Sequence, residues 1–564
     1  MRRAPGLFSA AIALAAIACG SGDTETPVRR EKTAPVRLFV DATDKARLDF
    51  VHDNGSTDRK YLPEIMGSGG SVIDYDGDGL FDLYLVQSGP VPGTDDTAPR
   101  PGNRLFRNLG DGTFADVTQR TGVGDSGYGM GSVAADYDND GDTDLYVVNY
   151  GADVLLRNDG DGSFSDVTGE AGIKSPLWGS SASFFDSDRD GDLDLYVTNY
   201  LDFDLDKHVD CGSPSRGFVS YCSPDVYESV PDVFFRNLGD GTFEETTKAA
   251  GFIDTTGKGL GVVATDLTND GWPDLYIAND ATPNFLFRNL KDGTFEEAAL
   301  WLGVGHNEDG TTEAGMGTSA GDVNADGWLD LLVTNLSAES NALYLGGDVF
   351  FTYNARAAGL YGPSYLYVGF GNHLQDLDND ADLDLLVTNG HVIDNIELLD
   401  DSQSFRQPTQ VFWNDGSGHF EEVEPALIQD LAVPRVGRGT MTLDLGADGR
   451  LDAVVSYNND RTRLFQNTWT GDGNWIGFVT GAANSRIEVE TASGRQLKEV
   501  VLGSSYQTSS EPSLHFGLGS FQAAPKVVVA SSVIPGRRRY LGLPAGRYYR
   551  LSSSDLAPGV AADQ

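Results

Sequence analysis

Asp74-Tyr75-Asp76-Gly77-Asp78-Gly79-Leu80-Phe81-Asp82 is the first of seven occurrences of one pattern, Asp-x-Asp-x-Asp-Gly-x-x-Asp, in a chain of 564 residues. Six more begin at Asp136, Asp186, Asp266, Asp322, Asp376 and Asp444, and they are numbered loops 1 to 7 in chain order. Three copies are intact and four carry one change. A single copy would read as a turn, since Asp and Gly favour turns for local reasons. Seven spaced along the chain define a repeat and a cation together.

The chemistry is that of a hard divalent cation. Calcium takes roughly six to eight oxygen ligands. Carboxylates at positions 1, 3 and 5 of a tight loop converge on one point, position 9 closes it, and glycine at position 6 permits the positive φ that curls the chain. Loop 1 offers Asp74, Asp76, Asp78 and Asp82; loop 2 offers Asp136, Asp138, Asp140 and Asp144; loop 3 offers Asp186, Asp188, Asp190 and Asp194. Loop 4 (Asp266, Thr268, Asp270, Asp274) puts a hydroxyl at position 3, and loop 5 (Asp322, Asn324, Asp326, Asp330) an amide oxygen. Loop 6 (Asp376, Asp378, Asp380, Asp384) keeps its acids but has Ala381 in place of glycine. Loop 7 (Asp444, Asp448, Asp452) has Gly446 at position 3 and is expected to be the weakest of up to seven structural calcium sites.

These windows hold 28 of the 84 acidic residues, a concentration of like charge that calls for a cation. The formal charge of −44 argues against nucleic-acid or anionic-membrane partners, and seven calcium ions would still leave about −30. Arg2 and Arg3 precede an apolar run, Leu7 to Ala18, too short to span a bilayer. It ends in Ala16-Ile17-Ala18-Cys19-Gly20, which resembles a bacterial lipoprotein signal and implies lipidation of Cys19, with ordinary secretion as the alternative. Membrane contact is expected through that N-terminal lipid alone. Residues 1–19 are then the signal, and 20–35 a flexible tether. Cys211 and Cys222 lie close together in an insertion; a disulfide fits an oxidising compartment and contributes about 3 kcal/mol, with two free thiols as the other reading.

Each acidic loop lies between two short apolar segments, such as Gly131–Ala135 and Leu145–Val148, and is followed by a hairpin such as Asn103–Phe114 with Gly110-Asp111-Gly112 at its turn. That makes four strands per repeat. The loop starts are 62, 50, 80, 56, 54 and 68 residues apart, the longest interval holding the insertion Leu201 to Pro231. Four strands at this period predict an all-β fold, a seven-bladed β-propeller over residues 36–470 with a small β domain over 471–552 and a tail over 553–564. A linear solenoid is the runner-up. The last repeat lacks a fourth strand, and Leu38–Thr43 is an orphan one, so the N-terminal strand is expected to complete the seventh blade.

These units resemble the FG-GAP/VCBS repeats of integrin α-subunit propellers and bacterial surface proteins. Leu62-Pro63-Glu64-Ile65-Met66-Gly67, Tyr221-Cys222-Ser223-Pro224, Glu313-Ala314-Gly315-Met316-Gly317 and Asn389-Gly390-His391-Val392 are similar to segments of the cartilage acidic protein family. Asn484–Val489 and Leu514–Gly519 resemble the ASPIC/UnbV domain that follows such propellers, with Val533-Ile534-Pro535-Gly536 where that domain has Trp-Pro-x-Gly. The resemblance implies an extracellular calcium-binding protein of interaction type, without identifying a ligand.

The connection after each second strand should emerge opposite the calcium loops. Tyr150, Tyr200, Asn279, Asn389, His391 and Tyr457 stand there, a set suited to a glycan or protein partner; alternatively each Asn caps its own turn. A propeller enzyme acting on polysaccharide, a lyase or hydrolase with His391 as base, is the second hypothesis, although no nucleophile–base motif stands out. His373 and His306 are weaker candidates still.

Overall fold

A computed structural model describes residues 37–551 and 556–558, apart from 95–99, 214, 216, 254–255, 472, 481, 492–493 and 531–536. Cys19, the signal and tether, and the Val533–Gly536 departure lie outside the described residues.

Seven four-stranded antiparallel sheets follow one another along the chain. Blade 1 is built from Gly70–Ile73, Asp82–Leu85, Arg104–Asn108 and Phe114–Asp116. In every blade the aspartate loop joins the first two strands, and in blades 1 to 6 a short hairpin joins the last two. The apolar residues alternate, but both faces are buried because each sheet packs between two others. Leu83, Tyr84 and Leu85 are all fully buried, and Tyr84 and Leu83 belong to core clusters on opposite sides of the sheet.

The innermost strands contact one another in order around a ring, and the seventh, Gly437–Leu443, returns to the first. Phe39–Asp41 pairs antiparallel with Arg463–Asn467, Phe39 opposite Asn467, so the N-terminal strand is the outer strand of blade 7. Leu38 and Phe39 are fully buried against Leu386, Val411, Val455 and Phe465 of blades 6 and 7. The seven-bladed fold agrees with the reading of the repeats.

Beyond the ring, Leu514–Gly519, Asn474–Val479, Tyr548–Leu551 and Leu556–Pro558 form one sheet, and Arg495–Glu499, Arg486–Glu490, Ala523–Ala530 and Arg538–Pro544 a second. Ile476, Phe478, Ile487, Val489, Phe516 and Val527 fill the space between them.

This sandwich sits on the aspartate-loop side of the ring and sends a segment, Leu502–Glu511, into the central channel. Thr508–Ser509 adds to blade 1 as a fifth strand, parallel to Gly70–Ser71. Ser505 exchanges both backbone hydrogen bonds with Thr318 of blade 5, the Phe184 N–H of blade 3 donates to Leu502 O, and Thr508 Oγ1 donates to Thr440 O of blade 7. Glycine makes the approach feasible: a Cβ on Gly69 or Gly131 would lie 1.9 or 2.5 Å from the Gln507 carbonyl oxygen.

Candidate metal centres and the opposite face

Position 9 of each loop welds it to the hairpin. Asp82 accepts from Tyr75 N at 3.2 Å and from Asn108 N at 2.7 Å, and Asp144 accepts from Tyr137 N and Asn158 N at the same distances. The Asn then staples neighbouring blades. Asn158 Nδ2 donates to Tyr75 O, Asn237 to Tyr137 O, Asn289 to Ser187 O, Asn414 to Val323 O and Asn467 to Leu377 O, each at 2.8 Å. Every one of those carbonyls lies at position 2 of the preceding blade's loop. An ion that orders a loop therefore orders the joint between two blades. The recurring Asn, as in Arg157-Asn158 and Arg236-Asn237, was the signal for these staples.

In loops 1, 2, 3 and 6 the carboxylates converge. Ligand atoms of Asp74, Asp76 and Asp78 lie within 4.8 Å of one another, as do those of Asp136, Asp138 and Asp144, of Asp186, Asp188 and Asp190, and of Asp376, Asp378 and Asp384. Oδ1 of the position-1 aspartate in these same four loops (Asp74, Asp136, Asp186, Asp376) is buried and has no hydrogen-bond partner. A buried carboxylate oxygen left this way fits a cation, because desolvation without a partner is costly. Burial pushes Asp82 and Asp144 up to about 8 and Asp136 and Asp186 up to about 6, disfavouring their charged forms in a way that a bound cation would relieve. Bound calcium would supply that charge and draw the loop's oxygens together. Ala381 in loop 6 takes φ +92°, the conformation that Gly141 takes at +99° and Gly191 at +96°.

Loops 4, 5 and 7 are arranged differently. Asp266 Oδ1 accepts from Asp270 N at 2.8 Å, Asp322 Oδ1 from Asp326 N at 3.0 Å and Asp444 Oδ1 from Asp448 N at 2.9 Å. The sandwich also reaches them. Arg486 pairs with Asp266 at 3.3 Å, Tyr548 OH donates to Asp444 Oδ2 at 2.9 Å, and Glu499 accepts from Asp266 N.

On the opposite face, the residues singled out for ligand contact are largely tied into the fold. Asn279 Nδ2 donates to Pro283 O and Asn389 Nδ2 to Pro408 O, each capping its own turn. His391 is buried and lowered to about 4 by desolvation and the nearby Arg438; its Nδ1 accepts from Ile393 N. Tyr457 is buried under the Arg435 guanidinium, 5.3 Å from its ring centroid. Nor does an open channel mouth lie between them. Leu62–Ile65 and the insertion cover it: Arg438 Nε donates to Ile65 O, Tyr221 OH to Glu64 Oε2 and Asn395 Nδ2 to Val219 O. Cys211 and Cys222 are joined in a disulfide across the insertion's two-stranded ribbon.

Only Tyr150 and Tyr200 are brought together, and Trp178 stands between them, with ring centroids 5.2 Å from each. Tyr150 OH donates to Phe203 O, and Tyr200 OH to Asp280 Oδ2. Tyr128, Tyr150, Trp178 and Phe203, with Asn149 and Asp202, line a cleft of about 660 Å³ between blades 2 and 3 and the start of the insertion. Trp178 and Phe203 carry no motif and were not legible as site residues. His373 is buried, with Nε2 2.7 Å from Thr440 O of blade 7 and 3.4 Å from Ser510 Oγ of the channel segment.

Fold and loops together define a β-propeller built from acidic-loop repeats with a sandwich docked on its loop face. Residues 74–147, 136–197, 202–277 and 266–333 match the FG-GAP-like repeat, and residues 479–553 match ASPIC and UnbV. The chain belongs to the FG-GAP-like repeat proteins that carry an ASPIC and UnbV domain. It is 27% identical to human cartilage acidic protein 1 over 314 residues, 53% of this chain and 44% of that protein. It is 28% identical to the Xenopus tropicalis protein over 307 residues, 51% and 44%. The chain thus spans somewhat under half the length of these relatives. Among solved structures, an Agrocybe aegerita lectin that recognises non-reducing terminal N-acetylglucosamine aligns with TM-score 0.38 and 16% identity, covering 64% of this chain and 79% of that one. YCF48 bound to D1 peptide aligns with TM-score 0.41 and 9% identity over 79% and 99%. Among the described residues no helix is long and apolar enough to cross a membrane.

Proposed function

We propose that this chain is an exported, calcium-stabilised interaction protein, held at a membrane by lipid on Cys19, that binds a saccharide-bearing partner through the cleft opposite its aspartate loops. The cleft carries this reading. Tyr150 is its partly exposed ring, held edge-to-face by the buried Tyr128 and Trp178 and packed against Phe203, which fixes it at low entropic cost. The Trp178 indole N–H and Asn149 Oδ1 have no partner among the described residues, leaving a donor and an acceptor beside those rings. The disulfide suits an extracytoplasmic compartment. The loop face and the channel are taken up by the sandwich, and His391 and His373 are buried and tied to backbone groups, so binding fits better than catalysis.

A glycan array with pull-down, with and without calcium, tests the reading. Binding to a defined glycan class that falls at least about fivefold in Tyr150→Ala is expected, since a stacking contact contributes on the order of 1 kcal/mol or more. Array binding unchanged in that variant refutes the cleft, and release of a shortened glycan would replace binding by cleavage.

A further inference from the structure

We propose that the propeller holds four ions, at loops 1, 2, 3 and 6. The ion in loop 6 is trapped beneath the sandwich, and in loop 4 the Arg486 guanidinium takes the ion's place. The inference concerns the loop face and does not depend on what the cleft binds.

Position 3 decides which loops are open to an ion. Where it is aspartate, that side chain takes the position-5 amide: Asp140 N donates to Asp138 Oδ1 at 3.3 Å in loop 2, and Asp380 N to Asp378 Oδ1 at 3.2 Å in loop 6. Oδ1 of position 1 is then left free and aimed into the loop. Asp186 and Asp376, only 5% and 1% exposed, each keep that oxygen without a partner. Where position 3 is Thr268, Asn324 or Gly446, the position-5 amide donates to the position-1 oxygen, in loop 5 sharing itself with Asn324 Oδ1 at 3.1 Å. Those loops have spent on themselves the atom an ion would need. Arginines also reach positions 3 and 5 elsewhere, Arg107 lying 2.6 Å from Asp76 and 2.9 Å from Asp78 and Arg236 2.7 Å from Asp188. Among the described residues, however, only loop 4 has a cation paired at position 1, Arg486, 3.3 Å from Asp266 and 3.2 Å from Glu499.

The sandwich treats loop 6 in the opposite way. It covers the loop without filling it. His515 Nε2 is 2.6 Å from Asn379 Oδ1, and since Asn379 Nδ2 already donates to Gly449 O, the histidine is the donor. Gly519 N donates to Asn379 O at 2.9 Å, and a Cβ on Gly517 would lie 1.9 Å from Asp376 Oδ2, so glycine there lets the strand close over the loop. Lys498 stands nearby: its Nζ donates to Gln375 Oε1 at 3.3 Å, and its charge acts on Asp376 and Asp384 without a direct ion pair among the described residues. The sandwich closes the Asp376 side of this site, so an ion held there is retained longer, until the sandwich lifts. Asp376 at position 1 is covered, whereas Asp74 and Asp136 at the same position of loops 1 and 2 are partly exposed; the position-5 carboxylates Asp78, Asp140, Asp190 and Asp380 are exposed in all four loops.

Elemental analysis of the intact protein after gel filtration in calcium buffer should give four calcium ions per chain. Mixing with excess chelator should release three in a fast phase and one at least about tenfold more slowly, because its exit waits on a subglobal opening. Asp266→Asn should leave the count at four, Asp136→Asn should lower it to three, and Asp376→Asn should abolish the slow phase. A count of seven, a single release phase, or a loss of one ion in Asp266→Asn overturns the proposal. The count and the two phases are read on the unaltered protein, so a variant that fails to fold does not remove the test.

Discussion

Replacing Tyr506 by alanine should loosen the sandwich from the propeller before either half unfolds. The Tyr506 side chain is fully buried in the channel, its ring 4.8 Å from Phe370 of blade 6, and its hydroxyl donates to Met66 O at 3.2 Å. Truncating a buried aromatic to alanine costs about 3–5 kcal/mol, and the abandoned Met66 carbonyl adds about 1 kcal/mol when water does not reach it. The neighbouring residues of the segment hold inner strands of several blades, so most of the loss, about 4 kcal/mol, should fall on docking. Urea unfolding followed by tryptophan fluorescence is the assay, since Trp475 packs against Gly449 of loop 7 and reports separation. The unaltered protein should show one transition. Tyr506→Ala should show an early one, with new proteolytic cleavage between the halves, whereas Tyr506→Phe should lose about 1 kcal/mol and remain cooperative. A Tyr506→Ala protein within about 1 kcal/mol of the original, with one transition, would show that the channel contact does not hold the halves together.

Three further outcomes are expected. Ala381→Gly relieves a left-handed backbone at a β-carbon and should raise stability by about 1 kcal/mol in calcium, read as a higher Tm; a lower Tm would contradict the strain. Excess chelator should lower Tm substantially, because ions bound only to the native loops stabilise it by mass action; an unchanged curve with metal loss confirmed would refute structural calcium. Glu313, buried beside Tyr353, Asn335 and Glu339, is raised to about 7 by desolvation. Its folded form holds the proton more tightly than the unfolded chain. The associated stability is therefore complete below the unfolded value near 4.5 and falls away, by about 3 kcal/mol, as pH rises through 7. In calcium-saturated protein Glu313→Gln should flatten that fall between pH 5 and 7.5, and an identical slope in both proteins would exclude Glu313 as its source.

Much of the architecture was legible because its causes are local and repeated. Aspartate spacing, the Gly-Asp-Gly hairpins and the unpaired Leu38–Thr43 strand each follow from a few consecutive side chains, and counting them counts the blades. The metal loops were legible as a class but not one by one. Thr268 and Asn324 keep an oxygen at position 3, and a ligand inventory does not contain where the position-5 amide turns, which in these loops is to the position-1 carboxylate. Ala381 was a local flaw that the loop absorbs by adopting glycine's φ. The residues opposite the loops were placed on the correct connections, but burial by the insertion and by Leu62–Ile65 withdraws Asn279, Asn389, His391 and Tyr457 from the surface.

From its own residues the sequence determined the number of blades, the strand that closes the ring, and the end of the ring at which acidic loops gather, because each depends on contacts within or between adjacent repeats. Tertiary structure alone decided that the sandwich lies on those loops, that Gly503–Ser510 plugs the channel, and that Arg486, His515 and Tyr548 meet loops 4, 6 and 7. Segment 503–510 is polar and patternless, and its partners are backbone groups drawn from blades hundreds of residues apart. Hydrogen bonds to backbone carry no side-chain signature, so only the closed ring, with glycines such as Gly69 and Gly131 clearing the way, brings their donors and acceptors to one place.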